Sequence, residues 1–342
     1  MVQKGKLAAW ALALLKQLNK VDLPTLGRPT IPHFIFVEFR AKVVLERPYF
    51  CVRQIPNPHP MTPSIHDLPS QVRRDILRMV HAVQSGHPGG SMGCTEFFVA
   101  LYFDILRHQS SPFSMDGLGE DLFFLSNGHI SPVFYSVLAR SGYFSIEELK
   151  TFRKINSRLQ GHPTTHEGLP GVRIASGSLG QGLSVAVGAA QAKKLAGDNH
   201  LVFTLHGDGE LQEGQIWEAA LYAGAKKVDN LISTIDANGQ QIDGSTDEVM
   251  PMGDIGSKFA AFGWDVMHIH QGNDLDAVRQ GLREAIAKTG QGKPICIVMH
   301  TSMGHGVDFM AGTHTWHGIA PSDEQLTAAL AQLPETLGDY PA

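Results

Sequence analysis

Two short runs, Gly207-Asp208-Gly209-Glu210 and Asp236-Ala237-Asn238, put oxygen ligands on backbone that glycine leaves bare. Asp208 offers a carboxylate oxygen and Asn238, 30 residues on, an amide oxygen. Hard oxygen donors next to a bound phosphate are how proteins usually hold Mg²⁺. The ion would neutralise a phosphate that the surrounding acids would otherwise repel. Gly207 and Gly209 allow close backbone approach to such a ligand. Gly-Asp-Gly alone is most often an ordinary turn, so its context carries the weight. Four histidines form a second set. His87 lies in Ser85-Gly86-His87-Pro88-Gly89, His129 in Ser126-Asn127-Gly128-His129, His162 in Gly161-His162-Pro163 and His317 in Trp316-His317-Gly318. Imidazole donates or accepts a proton near neutrality, which suits acid–base work. One histidine in a glycine-flanked turn is commonly structural. Four such turns are hard to read that way. His268 and His270 on a presumed strand, and His206 before Gly207, read as core or surface positions.

The elements that must position these residues alternate along the chain. Apolar residues at helical spacing predict a helix over 67–83, from Leu68 and Val72 through Ile76, Leu77 and Val80 to Val83. Thr95–Leu106 reads as a buried helix and Gly180–Leu195, rich in Ala, Val and Leu, as a tightly packed one. Strands are expected at Leu201–Leu205, Leu231–Ile235, Val266–Ile269 and Ile295–Met299, with helices at Gly214–Ala225 and Leu275–Lys288. Short apolar strands alternating with helices imply an α/β fold with a parallel sheet flanked by helices on both faces. Ligands of such sheets bind at the carboxyl ends of the strands, where Asp208 and Asn238 fall.

Composition narrows the class. Hydrophobic residues make up 43% of the 342 and charged residues 18%, the profile of a soluble globular chain. A net charge of −5 argues against nucleic acid as a partner. Three scattered cysteines, Cys51, Cys94 and Cys296, have neither zinc-ligand spacing nor a disulfide framework, which favours a reducing, cytoplasmic setting. Residues 1–60 stand apart with nine Lys/Arg, three Asp/Glu and seven of the 19 prolines. Lys4 and Lys6 precede an apolar run, Leu7–Leu15, but Lys16 follows at once and no small-residue cleavage site appears. The run is too short to span a bilayer, so no membrane is expected. Two domains follow: 1–60, an irregular basic extension with at most a short helix at Leu7–Leu18, or sequence upstream of a true start at Met61; and 61–342, the functional domain.

The glycine–aspartate run, its 30-residue spacing to Asn238, and the Gln212-Glu213-Gly214 and Glu218-Ala219 between them resemble the thiamine-diphosphate motif. With the four histidine turns and Gly177-Ser178-Leu179-Gly180-Gln181-Gly182, the chain from about Pro69 to Pro321 resembles the amino-terminal half of transketolase. That resemblance implies thiamine diphosphate and Mg²⁺ as cofactors and transfer of a two-carbon ketol unit from a ketose phosphate to an aldose. The cofactor there is an electron sink. Asp208, Asn238 and the Gln240 carbonyl would hold the metal. Gly177, Leu179, Gly207, Gly209, His129 and His317 would line the cofactor site. His87 and His317 would bond the donor and acceptor oxygens, with His129 also counted as catalytic, and His162 would meet the donor's terminal hydroxyl. Glu213 would lie at the interface with a partner chain.

Two departures from the family pattern stand out. Where the family usually carries Lys-Gly-x-Gly, this chain reads Met303-Gly304-His305-Gly306, so a positive charge is absent. A full transketolase also continues into a pyrimidine-binding domain that carries the activating glutamate. The expectation is therefore an amino-terminal subunit that needs a separate carboxyl-terminal subunit, in a heterotetramer. The alpha subunit of a 2-oxo acid dehydrogenase and a non-catalytic cofactor-binding protein stay open as alternatives. The turns at His87, His129 and His162 speak against the first.

Overall fold

The computed structural model describes residues 64–341. The extension expected at 1–60, with its short helix, lies outside the described residues.

Five parallel strands form one sheet: β1 (Leu122–Leu125), β2 (Val202–Gly207), β3 (Leu231–Ala237), β4 (Asp265–Ile269) and β5 (Ile295–His300), in the order β1-β2-β3-β5-β4. The period-two alternation of side chains sorts the strand residues onto two faces. Phe123, Leu125, Phe203, Leu205, Ile232, Ile295, Ile297 and Met299 join one core cluster. Leu122, Phe124, Val202, Leu231, Ile235, Cys296 and Val298 join the other.

Helices cover both faces. The first face packs against α1 (Leu68–Ala82), α2 (Pro88–Gly93), α3 (Thr95–Ala100) and α4 (Ser131–Arg140). All four share its core, the short α2 through Met92. Helix α1 starts directly after a Ser64–Asp67 capping box and carries Pro in its first turn, where no amide partner is lost. The second face packs against α5 (Gln181–Leu195), α6 (Gly214–Ala225) and α7 (Ile255–Ala261). Helix α8 (Leu275–Ala287), capped by the Asp274 side chain on the Ala277 N–H (2.8 Å), returns to the first face, and α9 (Asp323–Gln332) closes the described chain. No helix among the described residues is long and apolar enough to cross a membrane.

The structure adds one strand to the expected elements and corrects two expectations. Strand β1 is the addition: its apolar run is only four residues long, too short to distinguish a strand from a piece of buried helix. The helix expected over Thr95–Leu106 is α-helical only to Ala100 and then widens into a π-turn, Leu101–Ile105. That turn presents Asp104 to Arg279 and Arg283 on α8 at 2.9 and 2.6 Å, so its end is not buried. Helix α5 packs on one face only. Leu183, Ala186, Val187 and Ala190 are buried, whereas Ser184, Val185, Gly188 and Ala192 face outward.

Candidate functional site

The carboxyl ends of β1, β2 and β3 come together at one point, because Leu125 pairs with Leu205 and Gly207 with Asp236. The turns after them line a cavity of about 340 Å³. Every residue expected from the sequence borders it: His87, His129, His162, His317, Gly177, Leu179, Gly207, Asp208, Gly209, Asn238, Gln240 and Glu213.

One end of this cavity is acidic and tightly held. The Gly239 N–H donates to Asp208 Oδ2 (2.6 Å) and the Gly209 N–H to Asp208 Oδ1 (2.8 Å). Asn238 Nδ2 donates to Asp236 Oδ2 (2.7 Å), and the Gln240 N–H donates to Asn238 Oδ1 (2.9 Å). The Thr301 hydroxyl donates to the same Asp236 carboxylate, and the buried Cys94 thiol beside it favours the charged form. Burial, and then the charge of Asp236, push Asp208 up to about 7. Burial also raises Asp236. Two carboxylates that desolvate and repel each other form a site a divalent cation would relieve. The donor set of carboxylate, amide and backbone oxygen fits a hard ion such as Mg²⁺ rather than a soft one. The buried Asn127 Oδ1, on the same wall, has no hydrogen-bond partner among the described residues.

Glu210 ties the turns to one another. It accepts from the Gly180 N–H (2.7 Å) and Gly207 N–H (3.1 Å) and from the Ser126 hydroxyl, while Ser126 Oγ accepts from the Gly182 N–H (3.1 Å). Gly180 caps α5 at φ 83°, a left-handed conformation that glycine adopts without strain. Gly128 is required for another reason: a Cβ there would lie 2.2 Å from the Ser176 carbonyl oxygen, so only glycine lets the His129 turn touch the 176–179 segment.

The other end gathers the four histidines. Ring centres lie 5.1 Å apart for His87 and His129, 5.6 Å for His87 and His317, 5.0 Å for His129 and His317, and 6.1 Å for His87 and His162. Burial dominates their electrostatics. It brings His87 down to about 4, with help from His317, Arg153 and His162, and holds His129 well below the ordinary imidazole value. His162 is lowered by burial and then by the charge of Arg153, and His317 by burial. All four are neutral at pH 7, each with one nitrogen to donate and one to accept. His87 Nδ1 and His317 Nδ1 are buried without a partner among the described residues, so this end offers polar atoms to a ligand.

The sequence carried some of the remaining site residues without marking them. Asn127, Glu210 and Asp236 stood inside the quoted runs, and their roles emerge only from the contacts above. Arg153 had no signal. It stands at φ 55°, bonds Ser85 Oγ through Nη1 (2.9 Å) and fills the space a side chain at Gly161 would need. Met303 lines the cavity where the family's lysine turn was expected. His206 is a core residue bonded to Thr204 (2.8 Å), as expected, whereas His268 and His270 are exposed at the sheet edge, outside the cavity. Three further histidines in loops, His166, His305 and His314, do not border this cavity, although His314 lines a neighbouring one of similar volume with His317.

Comparison with known proteins agrees with this geometry. Residues 67–337 match the family model described as transketolase, thiamine diphosphate binding domain. The chain is 37% identical over 265 residues to an apulose-4-phosphate transketolase subunit of Phocaeicola vulgatus, covering 78% of this chain and 92% of that relative. It is 37% identical over 262 residues to the 6-deoxy-6-sulfo-D-fructose transketolase subunit SqwG of a Clostridium species, covering 77% and 93%. Among solved structures, transketolase from Leishmania mexicana superposes with a TM-score of 0.74 at 32% identity, covering 82% of this chain and 42% of that one.

Proposed function

This chain belongs to the transketolase family, and from that premise we propose how its residues divide the work and what it must pair with. Ketol transfer with thiamine diphosphate is the activity of that family, and this chain is of its amino-terminal, cofactor-binding type. When bound, thiamine diphosphate supplies the electron sink for breaking and making the carbon–carbon bond.

Asp208, Asn238 and the Gln240 carbonyl hold Mg²⁺ and, through it, the diphosphate. Gly207, Gly209, Gly177 and Leu179 shape the wall against the cofactor. Asp236 orients Asn238 through the 2.7 Å bond to its amide, so that Asn238 Oδ1, which accepts the Gln240 N–H, keeps a second lone pair for the ion. His129 and His317 would face the diphosphate and the reacting carbon of a bound cofactor. His87 and His317 bond the donor and acceptor oxygens and move protons between them, which their neutral state permits. His162 receives the donor's terminal hydroxyl. The substrates are sugar phosphates. The working domain is 61–342, with 1–60 a separate basic extension, and the setting is the reducing cytoplasm.

The partner is a carboxyl-terminal subunit carrying the pyrimidine-binding domain, and the active unit is a heterotetramer of two chains of each kind. Two features support that pairing. Glu213 is exposed at the rim of the cavity, where a second chain would meet the cofactor. Beside it, α5 and α6 turn Val185, Leu221 and Tyr222 outward, an apolar face with small residues between.

The single observation that carries the functional reading is the meeting of four neutral histidines with the Asp208–Asn238 pair in one cavity. Reconstitution tests it. The purified chain is assayed for ketol transfer with thiamine diphosphate and Mg²⁺, first by itself and then with the carboxyl-terminal subunit. The expected result is activity only in the mixture. A single chain turning over above roughly 1 per second would refute the two-chain reading.

A further inference from the structure

Three histidines outside the cavity share one patch at the rim of the sheet. His268 lies on the edge strand β4, His270 two residues on, and His300 ends the neighbouring β5. The register sets this trio. Ile269 pairs with Met299, so His270 falls beside His300, and the period of two puts His268 and His270 on the same face. All three are exposed. Their ring centres form a nearly equilateral triangle, with sides of 5.7 Å for His268 and His270, 5.6 Å for His268 and His300, and 5.3 Å for His270 and His300. His268 Nδ1 lies 3.3 Å from His300 Nε2.

These spacings have a chemical meaning. Zinc binds imidazole nitrogen at about 2.0–2.1 Å with tetrahedral angles. Two imidazoles on one such ion therefore have nitrogens roughly 3.4 Å and ring centres roughly 5.2 Å apart. The three ring-centre distances fall within about half an ångström of that spacing, and the His268–His300 nitrogen pair matches it at 3.3 Å. As the rings stand they are near-parallel, and no three His, Cys, Asp or Glu side chains among the described residues converge on one point. Strand register fixes the backbone spacing of His268 and His300, so their convergence on one ion has to come from rotation about the side-chain bonds. Space and charge permit it. The rings are open to solvent, and the Asp254 carboxylate at the start of α7 interacts electrostatically with His268. Three clustered imidazoles would repel when protonated, which lowers His300 further after burial has acted on it. Neutral imidazole is the metal-binding form.

We propose that His268, His270 and His300 bind one divalent transition-metal ion, of the zinc class, at a site separate from the diphosphate cavity. Three nitrogen ligands with solvent in the remaining position make an open site rather than a closed structural one. Imidazole donors select Zn²⁺, Ni²⁺ or Cu²⁺ over Mg²⁺. The ion held here is thus different in kind from the one the oxygen donors at Asp208 and Asn238 suit.

The test is calorimetric titration of the full chain with Zn²⁺ in excess Mg²⁺, using wild type, His268→Asn/His300→Asn, His270→Asn and Asp208→Asn. Cobalt(II) absorption spectra of the same four proteins report a tetrahedral nitrogen site. The four cavity histidines are a second possible zinc sink, so His87→Asn is included as a control. The expected result is one equivalent that weakens at least tenfold in His270→Asn and disappears in the double variant, while Asp208→Asn and His87→Asn keep it. The proposal is overturned if wild type shows no such equivalent, or if it is lost in His87→Asn and kept in the double variant. Matching circular dichroism spectra and thiamine-diphosphate affinities across the histidine-rim variants separate ligand loss from unfolding.

Discussion

The two ends of the cavity are built on different principles. At the acidic end, Asp208 and Asn238 are held by backbone N–H groups from their own turns, Gly209, Gly239 and Gln240, all close in sequence to one ligand or the other. At the histidine end, His87, His129, His162 and His317 come from four segments spread over 230 residues, and two of them have a buried nitrogen with no partner among the described residues. The acidic end is thus preset as a binding site. The histidine end is neutral, desolvated and under-bonded, the state in which added hydrogen bonds to a substrate count most. Substitutions should therefore separate binding from turnover.

The largest effect is expected for Asp208→Ala. Removing the buried partner of a bound cation costs about 3–5 kcal/mol, so magnesium-dependent binding of thiamine diphosphate should weaken by more than about 100-fold. Isothermal titration measures it, and a variant that binds normally would move the metal elsewhere. Next come His87→Ala and His317→Ala. Each lost hydrogen bond to developing charge is expected to cost on the order of 2–4 kcal/mol in turnover, with cofactor affinity changed far less. Equal losses in both measurements would erase the distinction between the two ends.

Acid should sharpen the contrast, because the ends titrate with opposite signs. His87 in the folded chain protonates near pH 4 rather than at 6.5, so between those values the unfolded chain binds the proton and the folded one does not. Stability therefore falls as pH drops through that window, by up to roughly 3 kcal/mol from this residue. Asp208 acts the other way without metal. Its raised value means the folded chain gains a proton first, and stability rises as pH falls from about 7 toward 3.8. Urea midpoints of wild type and His87→Asn at pH 7 and 4.5, with Asp208 common to both, isolate the histidine contribution. The variant should lose less stability on acidification, and identical losses would show that His87 is not held neutral.

The smallest effect is expected from deleting residues 1–60. The family match begins at residue 67, beyond the compositional boundary. A chain starting at Met61 should keep its melting temperature within a few degrees and its cofactor affinity unchanged. Insoluble protein would show that the extension packs onto the domain.

By itself the sequence determined the parallel α/β architecture and the positions of Asp208, Asn238 and the four histidine turns. Short apolar runs bounded by glycine can report a strand and the turn at its end, because both are local properties of the chain. Helix α6 and strand β3 were readable for that reason. Strand β1 was not, since Leu122–Leu125 is only four residues long, too short an apolar run to tell a strand from a piece of buried helix. Only the tertiary structure decided that Glu210 would join the Gly180 and Gly207 turns, that Thr301 would hold Asp236 beside Cys94, and that Arg153 would stand behind His87 and His162. The same is true of the His268, His270 and His300 triangle, in which β4 and β5 bring together residues 30 positions apart. These contacts depend on strand order and register, which set distances in space that spacing along the chain does not encode.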